Sequence, residues 1–118
     1  MLEFFIKNFK SFEDVSIYKN QNIYFYKLAQ LVVSDRYSLL PGTEFESLID
    51  KNSLTALADY KVPQMLRLQN ILEYDNSLEE KIVKKIEIPH DSEEEIEIRA
   101  NTVQAIEKIK EILIIDNP

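Results

Sequence analysis

The sequence predicts an all-α protein, a single compact helical domain that occupies residues 1–118. Three observations favour this class. The chain contains one Gly and four Pro in 118 residues, which is few for an all-β fold with its many turns. Apolar residues recur at helical spacing in two long stretches, residues 22–39 and 92–113. Hydrophobic residues make up 45% of the chain, so a packed core is expected and disorder is not.

The first part of the chain predicts two short elements and one long helix. Residues 2–9 favour a short helix whose Phe side chains share one broad face. Residues 11–14 have the spacing of a capping box, which begins a second short turn. The long pattern of residues 22–39 predicts a helix with Asn22 as its N-cap, and Pro41-Gly42 ends it.

The middle of the chain predicts a helix, a break and another helix. Residues 44–50 and the apolar run at residues 54–58 favour two short helices. Pro63 has no N–H to donate, so it fits the first turn of a helix over residues 61–72. Asp59 lies at the break. We expect its carboxylate either to cap the following helix or to stand at the edge of a pocket.

The last part of the chain predicts two further helices. Ser77 and Glu80 have the spacing of a capping box for a helix over residues 78–85. The final helix begins with several acidic residues, which the helix dipole favours at that end. Glu95 and Arg99 stand four residues apart on this helix, so we expect them to pair.

Composition excludes several classes of site. The net charge of −7 disfavours binding to a nucleic acid backbone, so no direct nucleic acid partner is predicted. The chain has no Cys, which excludes disulfides and thiolate metal sites and suits a cytoplasmic protein. His90 is the only histidine, and we interpret it as a loop or cap residue without a metal. No apolar run reaches the roughly 20 residues of a membrane span, so no membrane is expected.

Three stretches of the sequence form an ordered set: residues 24–35, Asp-Tyr-Lys-Val-Pro-Gln at 59–64, and Glu-Glu-Ile-Glu-Ile-Arg at 94–99. They resemble, respectively, an aromatic-Lys-Arg-Ala-Gln helix, an Asp-Tyr-Arg-hydrophobic-Pro-Gln signature and a late Glu-Ile-Arg motif of the queuosine salvage proteins. These proteins are N-glycosylases that release the modified base queuine from queuosine 5′-phosphate. The resemblance covers about residues 12–113. The ordered set is more specific than any one motif.

The resemblance implies an activity and a set of site residues. It implies hydrolysis of the N-glycosidic bond of a small-molecule nucleotide, without a metal or an organic cofactor. A carboxylate stabilises the oxocarbenium-like state of such a reaction. By resemblance, Asp59 contacts the base and serves catalysis, Leu57 lines the pocket where the family has Phe, and Lys27 approaches the phosphate. From the residues alone, Lys27 also fits a solvated side chain whose stem covers apolar surface.

The sequence also departs from the family pattern. The family has a large region before the matched part and a later Asp-Tyr-rich motif that supplies a proposed catalytic carboxylate, and residues 114–118 do not reproduce that motif. We therefore expect a chain that corresponds to the middle-to-late part of the family, to which a partner chain can add the missing segments. The alternative is a non-catalytic truncated homologue that acts as a nucleotide- or base-binding or scaffold module.

The two helices that follow Asp59 are also similar to the helix-hairpin-helix of base-excision glycosylases. This similarity implies a fold that is distantly DNA-glycosylase-like. The Gly-rich hairpin of that motif is absent, since the chain has a single Gly at position 42.

Overall fold

The computed structural model describes residues 1–39, 41–43 and 53–116. In these ranges the chain forms five α-helices and one β-hairpin: α1 (Leu2–Asn8), β1 (Val15–Tyr18), β2 (Gln21–Tyr24), α2 (Lys27–Leu39), α3 (Lys61–Leu68), α4 (Asn76–Val83) and α5 (Glu93–Asp116). The mostly helical character is confirmed, but the strict all-α class is wrong because of the hairpin. The helix predicted at residues 44–50 lies outside the described residues.

The hairpin replaces the first turn of the long helix that was predicted from residue 22. Strands β1 and β2 pair in antiparallel register across a two-residue turn. Lys19 and Asn20 form this turn with φ values of +47° and +65°, the left-handed pair that a tight hairpin turn requires. Asn22 therefore lies in β2 and is not an N-cap, and α2 begins at Lys27.

Asp14 ties the hairpin to the start of α2. Its carbonyl oxygen accepts the backbone N–H of Phe25 at 3.0 Å and that of Tyr26 at 3.3 Å. Its carboxylate accepts the backbone N–H of Lys27 at 3.1 Å. The capping box predicted at residues 11–14 is wrong, because the 3-10 turn there has no side-chain cap. Asp14 instead caps a helix that begins 13 residues later.

The core lies where the hairpin, the segment before α3 and helix α5 meet. Phe25, Ala58 and Ile96 form its buried centre. Half-buried side chains from the hairpin and from α5 pack around it: Tyr18, Ile23, Ala100 and Val103. This packing brings three distant parts of the sequence together and fixes the position of residue 58, next to Asp59.

Helix α3 is shorter than predicted, whereas α4 has the predicted length but begins two residues earlier. Asn70 has a φ of +56°, which turns the chain soon after the end of α3 at Leu68. The N-cap of α4 is Asp75, whose carboxylate accepts the backbone N–H of Leu78 at 2.8 Å. The prediction of Ser77 as the cap is wrong, because its hydroxyl donates to the same carboxylate at 3.0 Å. Among the helices of the described part, none has both the length and the apolar character that crossing a membrane requires.

Candidate functional site

A cleft of about 670 Å³ lies beside the starts of α2 and α3 and the first turns of α5. Small-molecule sites commonly have volumes of roughly 300–1,000 Å³, so the size suits such a ligand. Lys27 and Asp59 both line the cleft. Leu57 is half-buried and is not part of the lining, and its carbonyl oxygen accepts the backbone N–H of Asp59 at 2.8 Å. The structure thus brings two of the three predicted site residues to one cavity.

The two carboxylate oxygens of Asp59 have different surroundings. Oδ1 accepts the backbone N–H of Lys61 at 2.9 Å and that of Val62 at 3.1 Å, so it caps the first turn of α3. Oδ2 forms no hydrogen bond with any other described residue, and the side chain lines the cleft. A cap and a ligand contact are therefore compatible at Asp59, because one oxygen is sufficient for each.

Lys27 combines a fixed backbone with an available charge. Lys27 is the first residue of α2, and its backbone N–H donates to the carboxylate of Asp14. Within the described ranges its ammonium forms no ion pair with another side chain, and it lines the cleft. The positive end of the helix dipole is offset by the Asp14 carboxylate, which caps α2 at this residue. The group that can attract an anion here is therefore the Lys27 ammonium.

The segment that leads to Asp59 is held by two polar contacts. Gln30 is buried on α2, and its amide oxygen accepts the backbone N–H of Thr55 at 2.7 Å while its amide nitrogen donates to the Phe25 carbonyl at 2.9 Å. Closer to the cleft, Arg99 donates from Nε to the Ala58 carbonyl at 3.1 Å. These contacts fix an irregular segment at residues 54–58. The short helix that was predicted there is wrong, because the segment has no helix or strand of its own.

Arg99 is the most heavily engaged polar residue of the site. It is 8% exposed, and its two terminal nitrogens donate to the two carboxylate oxygens of Asp14 at 2.9 and 2.6 Å. The guanidinium carbon lies 4.0 Å from the centre of the Phe25 ring, within cation–π range. The predicted pairing with Glu95 is confirmed at 3.7 Å, although the contact with Asp14 is much closer.

The Arg99 contact shifts the acidity of Asp14. Burial by itself raises the pKa of this carboxyl, but hydrogen bonds from Arg99 and from the backbone N–H of Lys27, with the charge of Arg99, outweigh it. The net result is a pKa below its ordinary value of 3.8. Asp14 is therefore ionised at neutral pH, and it neutralises the guanidinium that would otherwise be a free cation in the cleft.

Two tyrosines give the cleft aromatic surface. Tyr60 lines it and is 68% exposed, directly after Asp59. Tyr74 lines it from the connection between α3 and α4, and its ring lies 5.7 Å from the guanidinium of Arg67. Burial raises the pKa of the Tyr74 hydroxyl. Flat aromatic faces beside a carboxylate suit a planar heterocyclic ligand.

His90 stands at the edge of the cleft with two carboxylates. Its ring nitrogens lie 3.5 Å from Asp91 and 3.7 Å from Glu95, and in the described residues these three side chains are the group close enough to share a metal ion. Asp91 accepts a hydrogen bond from the buried Ser16 hydroxyl at 2.7 Å, and Glu95 also contacts Arg99. His90 is 76% exposed. The prediction that it serves as a loop residue without a metal stays a prediction.

Sequence reasoning missed the residues that hold the site together. Asp14 was placed in a local capping box, and Gln30 was noted only as part of a helix motif. Arg99 was expected to pair with Glu95. A buried Arg–Asp contact between residues 85 positions apart has no local pattern. The one available signal was the presence of Gln30 and Arg99 within the ordered motifs.

Taken together, the fold and the cleft define a mostly helical protein with a cleft of small-molecule size, which offers a carboxylate, a cation and aromatic surface. Comparison with known families identifies the relationship. The model of the family described as "Queuosine salvage protein" matches residues 1–117. The chain belongs to this family, and the resemblance inferred from three motifs is confirmed over nearly the whole chain.

Individual relatives carry a more specific name than the family. Queuosine 5′-phosphate N-glycosylase/hydrolase of Sphaerobacter thermophilus is 43% identical over 105 residues, which cover 89% of this chain and 32% of the relative. The proteins of that name from Dictyostelium discoideum and Bos taurus are 40% and 36% identical, over 94% and 97% of this chain and 35% and 33% of their own length. The chain thus spans about a third of the length of these curated relatives.

Proposed function

We propose that the protein acts in queuosine salvage, by hydrolysis of the N-glycosidic bond of queuosine 5′-phosphate or as the substrate-binding part of such an enzyme. The observation that carries the proposal is the joint position of Lys27 and Asp59 in one cleft of about 670 Å³. Relatives named as queuosine 5′-phosphate N-glycosylase/hydrolase, at 36–43% identity, support the choice of substrate. The substrate is a small-molecule nucleotide.

In this proposal the two site residues act at opposite ends of the nucleotide. Lys27 attracts the 5′-phosphate as a point charge. Asp59 uses Oδ2 for the base or for positive charge that develops on the sugar, while Oδ1 remains on the helix. Leu57 contributes through its carbonyl, which holds the Asp59 N–H at 2.8 Å. The exposed ring of Tyr60 offers the stacking surface that Leu57 lacks.

The cleft residues account for the proposed chemistry without a metal or organic cofactor. Hydrolysis of an N-glycoside requires charge stabilisation and an activated water, both of which carboxylates supply. A cytoplasmic location fits a nucleotide substrate and a chain that contains no Cys. The acidic net charge of −7 supports a free nucleotide rather than an intact nucleic acid as the ligand.

A second candidate is a non-catalytic module that binds the nucleotide or the base. One observation favours it: one oxygen of the Asp59 carboxylate is committed to capping α3. In this case a partner chain supplies the catalytic groups. A distant likeness to base-excision glycosylases is also proposed, from the pair α3 and α4 that directly follows Asp59.

Incubation of the pure chain with queuosine 5′-phosphate, followed by detection of free queuine, tests the enzyme proposal. Release that rises with protein concentration and is lost in Asp59→Ala supports hydrolysis by this chain. Absence of release at any protein concentration would remove catalysis by the chain alone. Calorimetric titration with the nucleotide then separates the remaining roles. Binding without turnover indicates the non-catalytic module, and absence of binding contradicts both the enzyme and the module.

A further inference from the structure

We infer that Arg99 is a positioning residue that joins the two sides of the cleft, so that the places of Lys27 and Asp59 depend on one side chain. The guanidinium makes separate contacts with both sides, to Asp14 and to Ala58. The role in ligand binding rests on the proposed function, whereas the structural coupling does not. Both parts can be tested separately.

The first contact reaches Lys27 through Asp14. Arg99 donates hydrogen bonds to both oxygens of the Asp14 carboxylate, at 2.9 and 2.6 Å. One of these oxygens also accepts the Lys27 N–H at 3.1 Å. The carboxylate therefore has a fixed orientation when it caps α2. Loss of the guanidinium frees the carboxylate to turn toward water, and the first residue of α2 loses its anchor.

The second contact reaches Asp59 through its neighbour in sequence. Arg99 Nε donates to the carbonyl of Ala58, which is 4% exposed. The next residue, Asp59, uses its own carboxylate to cap Lys61 and Val62. Because residues 54–58 belong to no helix or strand, side-chain donors such as Arg99 replace the usual backbone ladder as their support.

Only arginine has the geometry for both contacts. Its planar fork directs two terminal nitrogens at one carboxylate while Nε faces another acceptor. The face of the fork lies 4.0 Å from the Phe25 ring, which restricts rotation. A lysine in its place keeps the charge but presents a single nitrogen, so it cannot hold Asp14 and Ala58 in the same arrangement.

The competing explanation is an ordinary stabilising ion pair, whose loss loosens the whole protein evenly. Positioning predicts a different pattern, because it loosens specific hydrogen bonds on both sides of the cleft. The amides of Lys27, Lys61 and Val62 report on these bonds, as each donates to an Asp carboxylate. The amide of Leu78 is a matched reference, since it donates to Asp75 at the start of α4.

Amide hydrogen exchange of the full chain, resolved by residue with NMR, measures this pattern in Arg99→Lys. We expect exchange at Lys27, Lys61 and Val62 to accelerate roughly tenfold more than at Leu78, because local opening governs each rate. The control is Lys81→Met, which removes the 2.6 Å ion pair between α4 and Glu94 of α5 but touches neither side of the cleft. It should leave the three cleft amides unchanged relative to the parent.

Equal acceleration at Leu78 and at the cleft amides in Arg99→Lys would overturn the inference. If Arg99→Lys does not fold, amide hydrogen exchange in Asp14→Asn tests the same inference. Asp14 forms no hydrogen bond with residues 59–62, so an effect of Asp14→Asn on Lys61 and Val62 passes through Arg99. We expect that effect to exceed the change at Leu78, and its absence would contradict the coupling.

Calorimetric titration with queuosine 5′-phosphate tests the consequence for ligand binding. Arg99→Lys should weaken the affinity by roughly tenfold or more, as one charge-assisted contact on each side is misplaced. Lys81→Met should bind like the parent. Normal affinity in Arg99→Lys would show that the positions of Lys27 and Asp59 do not depend on Arg99. Failure of the parent itself to bind would count against the proposed function, while the exchange experiment would still decide the inference.

Discussion

Arg99 and Asp14 face each other with two parallel hydrogen bonds of 2.9 and 2.6 Å, although they lie 85 positions apart in the sequence. The side chain of Arg99 is 9% exposed and that of Asp14 is 22% exposed, so both charges are largely removed from water. Removal of one partner from such a pair is costly, because it leaves the charge of the other partner buried and unpaired. It joins the hairpin and the start of α2 to helix α5.

Truncation of one partner should therefore be strongly destabilising. We expect Arg99→Met to lower the free energy of unfolding by about 3 kcal/mol, since the Asp14 carboxylate is left buried without its partner. Urea denaturation monitored by circular dichroism measures this change. Combination with Asp14→Asn should cost less than the sum of the two single changes, because both remove the same contact. Simple additivity would show that the pair contributes little.

Low pH should reduce the free energy of unfolding through protonation of the Asp14 carboxyl. The pKa of Asp14 is lowered in the folded state, so its stabilisation is fully present above its ordinary pKa of 3.8 and is lost as the pH falls through the lower folded value. The difference in unfolding free energy between the parent and Asp14→Asn should stay constant above about pH 5 and shrink below the ordinary pKa. Asp75 has a lowered pKa as well, but it is present in both proteins and cancels. A difference that persists unchanged into strong acid would contradict the assignment.

Substitutions of Asp59 should separate its two oxygens. Asp59→Asn keeps an oxygen for the backbone of α3, so the melting temperature should hardly change, whereas Asp59→Ala should cost about 1 kcal/mol. Nucleotide affinity should fall in both, because Asn offers an NH₂ donor and no charge to the ligand. Thermal denaturation with and without queuosine 5′-phosphate measures both effects. A ligand-induced shift in Asp59→Asn equal to that of the parent would remove Asp59 from the site.

The buried amide of Gln30 should be essential to the segment before Asp59. Gln30→Leu keeps the approximate volume but leaves the Thr55 N–H and the Phe25 carbonyl without their partner, so we expect a loss of about 1–3 kcal/mol. Gln104→Leu is the matched control, because Gln104 is exposed on α5 and its change should be within about 0.5 kcal/mol of neutral. Chemical denaturation of both variants gives the comparison. Equal small effects would mean that Gln30 does not hold the segment.

Local patterns predicted most of the helices and failed where distant residues decide the structure. Short-range periodicity was sufficient for α1 and α5, which occur close to their predicted positions at Leu2–Asn8 and Glu93–Asp116. It failed at residues 22–24, where Ile23 fits a helical spacing and a strand alternation equally well. The turn at Lys19 and Asn20 decides in favour of the hairpin, and Lys is an unusual residue for a positive φ, so the sequence signal was weak.

The sequence predicted that Lys27 and Asp59 share a site, but it did not predict the contacts that hold them in place. Lys27 and Asp59 were identified from ordered motifs, and both line the cleft. Leu57 was expected in the wall from its position two residues before Asp59, yet the chain turns between them and directs only a carbonyl to Asp59. The contacts of Asp14 and Arg99 depend on how three remote segments meet, which no local spacing encodes.

Calorimetric titration of the parent and of Lys27→Met, with queuosine 5′-phosphate and with the nucleoside queuosine, tests the central claim most directly. We expect saturable binding of one nucleotide per parent chain, weaker binding of the nucleoside, and no preference for the nucleotide in Lys27→Met. The reason is that the two arginines that line the cleft, Arg67 and Arg99, are already paired with Glu79 and Asp14. Lys108→Met, at an exposed position of α5 that is not part of the cleft lining, should retain the parent's preference. A folded parent that binds neither compound, or a Lys27→Met variant with the full preference for the nucleotide, would contradict the account.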